Sequence, residues 1–184
     1  MSTDLLLILI EKWQREYREP AMKIILKLLG FMLITFTVTA QAQTAGAPIA
    51  PSDRAVDIPL IEILEAASQL RADGLPTRRM LEGGIFSINV RHIQGAETAL
   101  QHARISEVWV VREGMAVLST GGTIVNPVAG AGPGDLRGSA IEGGEERIIK
   151  AGDIVYIPVG IPHGIKESES VVYLNIRFEL RETE

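Results

Sequence analysis

Two hydrophobic periods follow one another along the chain. Within residues 57–73, Ile61, Leu64 and Leu70, with Ala67 between them, fall on one face at helical spacing. Asp57 is the expected cap, Pro59 sits in the first turn where its missing N–H costs little, and Gly74 followed by Pro76 ends the element. The pattern predicts one amphipathic helix of about four turns that packs its apolar stripe on the domain. From Gly84 onward the period changes. Residues 85–93, 107–114, 115–120, 146–153, 154–160 and 171–180 are short runs rich in Val, Ile, Tyr and Phe, separated by glycine turns. The connections are too short for crossover helices, so the expected class is all-β and antiparallel, a sandwich or a barrel. The longest break, residues 121–145, is glycine-rich and is expected to be a long loop with backbone packed close against backbone.

A third pattern precedes both. Residues 22–42, MKIILKLLGFMLITFTVTAQA, have the layout of a secretory signal peptide: Met22, the bases Lys23 and Lys27, an apolar run, then Ala40 and Ala42 as A-x-A. Cleavage is expected after Ala42. The run from Leu28 to Val38 is short for a membrane span and contains Gly30, Thr35 and Thr37. Residues 1–21 carry Asp4, Glu11, Glu16 and Glu19, which suit an n-region poorly, so translation is expected to begin at Met22. Residues 43–56 read as a mobile tether and residues 57–184 as the folded domain, helix 57–73 included. The expected location is periplasmic or secreted, with no membrane attachment after cleavage.

Composition narrows the partners. The chain of 184 residues is 46% hydrophobic and 22% charged, with a formal net charge of −5. From Gln43 onward 13 basic residues face 19 acidic ones. The bases are scattered and no nucleic-acid motif occurs, which argues against a phosphate-backbone binder. There is no cysteine, so disulfides, thiolate metal sites and Cys nucleophiles are excluded. Neither a phosphate-cradling Gly-Lys-Ser/Thr loop nor a G-x-S-x-G nucleophile elbow is present.

Three histidines remain: His92, His102 and His163. His102 precedes Glu107 by five residues and Gly114 follows Glu107 by seven. The residues between His102 and Glu107 can form a tight bend that brings the two side chains to the same side of neighbouring strands. Near the C-terminus, Gly152, Pro158, Gly160 and His163 stand as G-x5-P-x-G-x2-H.

These spacings resemble the two motifs of the cupin superfamily, approximately G-x5-H-x-H-x3-4-E-x6-G and G-x5-P-x-G-x2-H-x3-N. His102, Glu107 and Gly114 match the first, Gly152, Pro158, Gly160 and His163 the second, and the 37 residues between Gly114 and Gly152 fit the variable loop. The resemblance covers roughly residues 83–180. It implies an antiparallel double-stranded β-helix, or jelly-roll, barrel preceded by the helix. It further implies a divalent metal (Fe, Mn, Zn, Ni or Cu) held by His102, Glu107 and His163, a small organic ligand, and oxygenase, isomerase, lyase or decarboxylase chemistry. Homodimers paired through sheet edges also follow from it. The departures are Leu100 in place of the first histidine, Glu167 in place of the closing Asn, and Gly95 one residue too near.

Two readings of the remaining triad stay open: a metal site of two imidazoles and one carboxylate, or a decayed site in a ligand-binding barrel. Trp109 and Tyr156 are candidates to stack on a ligand, and Asn175 to orient one. Tyr173, Asn175 and Arg177 share a face, and alternation favours Val172, Leu174 and Ile176 as the core set. His92, near the end of its strand, either replaces the lost fourth ligand or is an ordinary strand residue.

Overall fold

The computed structural model describes residues 46–179, besides Lys12. The expected leader, and the expectation about where translation begins, lie outside the described residues. Among the described residues no helix is long and apolar enough to cross a membrane.

Helix α1 spans Leu60–Asp73 and ends as expected, with Gly74 in the left-handed region and its N–H on the Leu70 carbonyl. Its start differs: Pro59 is the N-cap, with no side-chain cap, so Asp57 does not take that role. Its inner face differs as well. Ile63, Ala66, Ala67 and Leu70 are buried, whereas Ile61 is 61% exposed. Ala66 and Ala67 let the helix approach the sheet closely, and α1 packs there on Val90, Val172 and Leu174. The line of closest approach, rather than the bulk of each side chain, chose the buried stripe.

The strands are β1 (Thr77–Glu82), β2 (Phe86–Ile93), β3 (Ala99–Gln101), β4 (Ile105–Thr120), β5 (Thr123–Val125), β6 (Val128–Ala129), β7 (Leu136–Gly138), β8 (Ala140–Glu142), β9 (Glu145–Lys150), β10 (Ile154–Ile157) and β11 (His163–Glu179). All their pairings are antiparallel. The two long strands organise the rest. β11 lies between β2 and β4, and its first residues also meet β3; the other edge of β4 carries β9 and β10. This closes a double-stranded β-helix around a core of Ile93, Trp109, Val111, Leu118, Ile157, Ile165, Val171 and Tyr173.

Three differences from the sequence reading have physical causes. The runs 107–114 and 115–120 are one strand, because Gly114 at φ 71° keeps its pairing with Val171 in a place where a Cβ would run into the Ser170 carbonyl oxygen. β1, TRRMLE, lacks alternation because it lies at the sheet margin with its first three residues exposed. Part of the expected tether is pinned: Ala50 donates to the Glu82 carbonyl at 2.7 Å, and Glu82 to that of Pro48 at 2.9 Å. The stretch 121–145 holds the short strands β5 to β8, so its close backbone packing is realised as small ribbons.

Candidate metal centre

The barrel's turns aim His102, Glu107 and His163 at one another. His102 follows β3, and the bend at Ala103 and Arg104 returns the chain into β4, on which Glu107 faces inward. Gly160, at φ 76°, donates its N–H to the His102 carbonyl at 2.8 Å, which ties the turn before His163 to the bend after β3. All three side chains are buried, and each offers a ligand atom within 4.8 Å of the others. His102 Nε2 lies 3.3 Å from Glu107 Oε1, and His163 Nε2 lies 3.6 Å from Glu107 Oε2.

The hydrogen bonds around the cluster fix which atoms face inward. His163 Nδ1–H donates to the Ile161 carbonyl at 2.8 Å, and His102 Nδ1–H to Asp135 Oδ2 at 2.8 Å. Both imidazoles therefore present the lone pair of Nε2 to the same carboxylate. His163 Nε2 is buried and has no hydrogen-bond partner among the described residues. Glu107 is held by Trp109 Nε1–H at 2.7 Å and Asn175 Nδ2–H at 3.1 Å, both on Oε2. Three electron-rich groups thus converge, a donor set that fits a small cation. Ligand atoms about 2.0 to 2.2 Å from one ion stand about 3 to 3.5 Å apart, close to the two separations found.

One positive side chain adjoins them. Arg177, on β11, places Nε 3.1 Å from Glu107 Oε1 and Nη2 3.1 Å from His102 Nε2. Its Nε–H is off-axis for a hydrogen bond to Glu107, so this contact is an ion pair. Burial opposes the charge on Glu107, yet the His102 and His163 rings beside it, the Trp109 N–H and the Arg177 guanidinium together hold its carboxyl at about 2. His163 is lowered, mainly by burial. Burial also depresses His102, but Glu107 and Asp135 outweigh it, and that imidazole titrates above its ordinary value. The difference follows from the partners: His102 touches two carboxylates, whereas His163 donates only to a backbone carbonyl.

By its strand order, the chain is a mostly antiparallel β-barrel of the double-stranded β-helix kind with one helix. A protein from Bacillus halodurans is 12% identical, covering 72% of this chain and 87% of its own at a TM-score of 0.49. A cupin protein from Bacteroides fragilis is 10% identical over 73% and 91%, TM-score 0.44, and a cupin-2 domain containing protein from Shewanella frigidimarina 19% over 54% and 76%, TM-score 0.37. No family model and no curated protein matches the sequence. What this barrel does follows from its own side chains.

Leu100 pairs directly with His163 across β3 and β11, so an apolar residue stands beside the cluster. His92 is not in the cluster: it pairs with Val172 in the sheet, and its Nε2 lies 3.1 Å from Ser170 Oγ. Trp109 is 1% exposed and stacks on Tyr173 with ring centroids 4.4 Å apart. It therefore buttresses Glu107 from inside the core. Tyr156 corrects an expectation: strand alternation turns Val155 and Ile157 inward, so Tyr156 stands outside the barrel at 55% exposure and lines no cup. The final strand corrects another, since Tyr173 and Asn175 are buried in the interior and Arg177 faces Glu107, while Val172 and Leu174 form a second apolar face beneath α1. Asp135 was not anticipated; the sequence offers no signal for it beyond its place after a glycine-rich run.

Proposed function

We propose that this chain is an exported cupin-type protein that binds one divalent metal through His102, Glu107 and His163 and acts on a small organic molecule. The unpartnered, buried Nε2 of His163, aimed at a carboxylate that a second imidazole also faces, carries the reading. A bound metal of this class (Fe, Mn, Zn, Ni or Cu) would supply Lewis acidity or O2 activation. The chain's own contributions are distinct. Asp135 and the Ile161 carbonyl hold the imidazole tautomers, Trp109 and Asn175 hold the carboxylate, and the apolar interior keeps water away. Arg177, one quarter exposed, is the group able to meet an acidic ligand. The ligand set suits oxygenase, isomerase or lyase chemistry equally well.

The leader layout of residues 22–42 supports export to the periplasm or beyond. A homodimer is part of the same proposal, supported by Ile154 and Tyr156, which stand outward on β10, a strand that among the described residues pairs with β4 alone. A second reading has its own observation: Arg177 already supplies Glu107 with a positive partner, so the barrel could hold an organic ligand with no metal. Elemental analysis of protein purified without chelator separates the two. The metal reading expects one equivalent in the parent chain and loss of it in His163→Ala. A metal-free parent chain that takes up no Mn or Zn, or a variant that retains the same equivalent, contradicts it.

A further inference from the structure

The glycine-rich stretch from Gly130 to Gly134 has no part in the chemistry above, yet it wraps a single side chain. Asp135 is 7% exposed, although it belongs to a surface loop. Its Oδ2 accepts from His102 Nδ1–H at 2.8 Å and from the Gly132 N–H at 3.3 Å, and its Oδ1 accepts from the Ala103 N–H at 2.9 Å. The loop closes on itself around this residue, with Gly130 N–H on the Asp135 carbonyl at 2.8 Å and Asp135 N–H on the Gly132 carbonyl at 3.1 Å. The glycines are what let it close so tightly. A Cβ on Gly130 would stand 2.7 Å from Asp135 Cβ, and one on Gly132 would stand 2.9 Å from Asp135 Oδ2. Side chains at those two positions would occupy the space of the aspartate.

We infer that residues 130–135 form a carboxylate clamp and that Asp135 is the positioning residue that commits His102 to the Nδ1–H tautomer. The inference rests on the metal reading for its purpose but not for its geometry. An imidazole has one proton to place when neutral. With Nδ1–H given to Asp135, Nε2 faces the cluster as a lone pair, beside Glu107 and accepting from Arg177 Nη2 at 3.1 Å. Without Asp135 the ring can take the other tautomer, with the freed Nδ1 accepting from Arg177 Nη2, 3.3 Å away, and Nε2–H donating to Glu107 Oε1, 3.3 Å away, and the lone pair that would hold a metal is then spent. Partners of this kind on a ligand imidazole typically change metal affinity by about 10- to 100-fold when removed. The clamp also gives the long loop after β4 a reason for its composition: its glycines admit one buried acid.

Two substitutions test it by different routes. Asp135→Ala removes the carboxylate. Gly132→Ala leaves it in place but brings a methyl against Oδ2, the movable end of the side chain, so the carboxylate shifts while the backbone has little cause to. Long-range 1H–15N spectra of the imidazoles in metal-free protein, at a pH where His102 is neutral, read the tautomer directly. The clamp predicts Nδ1–H on His102 in the parent chain, a shift toward Nε2–H in both variants, and no change at His163. Titration with Mn2+ should show affinity about 10- to 100-fold lower in both variants, with Asp135→Asn, which keeps an acceptor oxygen, between them and the parent. If Asp135→Ala fails to fold, Gly132→Ala decides alone. An unchanged His102 tautomer in the folded variants overturns the clamp, and so does parent-like Mn2+ affinity in a parent that binds it. A parent chain that binds no Mn2+ refutes the metal reading instead, and the spectra still decide the clamp.

Discussion

Replacing Arg177 with Met should tighten metal binding, an outcome opposite to that of most substitutions beside a binding site. Arg177 Nε lies 3.1 Å from Glu107 Oε1, and Nη2 lies 3.1 Å from His102 Nε2, so the guanidinium addresses the same atoms a metal would use. At an effective dielectric constant near 20, unit charges about 4 Å apart interact by roughly 4 kcal/mol, and a divalent ion doubles that to roughly 8 kcal/mol of repulsion. The two cations cannot share the carboxylate, so Arg177 must turn toward the water that already reaches one quarter of it. Releasing a charged group from such a contact costs about 1.5 to 3 kcal/mol, or about 10- to 150-fold in affinity. Methionine keeps much of the stem and none of the charge, so metal entry no longer bears that cost. A competition titration of Mn2+ against a chromophoric chelator, parent beside Arg177→Met, measures the ratio; the metal-free melting temperature should fall in the variant because Glu107 loses its partner. Equal or weaker Mn2+ binding by Arg177→Met would refute the reasoning.

Other expectations follow from the same contacts. Glu107→Gln should abolish Mn2+ binding in calorimetry and lower stability by about 1 to 3 kcal/mol in urea titrations, because the neutral amide leaves the Arg177 guanidinium without its charged partner. Acid should weaken the metal-free fold: Glu107, held at about 2, contributes stability that is complete above its unfolded value near 4.5 and is lost as pH falls toward 2. Melting curves from pH 6 to 2.5 should show this decline, and Glu107→Gln should flatten it. His92→Gln should leave metal stoichiometry unchanged, since His92 meets Ser170 outside the cluster. Gly114→Ala should destabilise by about 2 kcal/mol or more, because its Cβ would meet the Ser170 carbonyl while its backbone holds a left-handed φ of 71°.

Much of the barrel was legible because it is written in short-range rules. Alternating Val, Ile and Tyr runs between glycine turns specify antiparallel strands, and the spacings around His102, Glu107 and His163 fix three inward side chains once the bend at Ala103 is tight. What the sequence hid is settled by packing between distant segments. Ile61 has the right period for the buried stripe of α1, but the contact of Ala66 and Ala67 with β2 and β11 turns it to solvent. Both faces of β11 carry apolar residues, so alternation alone did not tell that Tyr173, Asn175 and Arg177 line the interior while Val172 and Leu174 lie under the helix. Tyr156 reads as a ligand-stacking aromatic until register with Val108 puts it on the outer face. Asp135 becomes visible only when the loop folds back 33 residues to His102.

The central claim is that His102, Glu107 and His163 hold one ion together, and X-ray absorption at the metal edge of the Mn2+- or Zn2+-loaded chain tests it most directly. Two imidazoles and one carboxylate among the nearest scatterers, with one imidazole gone in His163→Ala, is the predicted spectrum. A spectrum free of imidazole scattering, or one that His163→Ala leaves unchanged, would place any bound ion elsewhere and contradict the account.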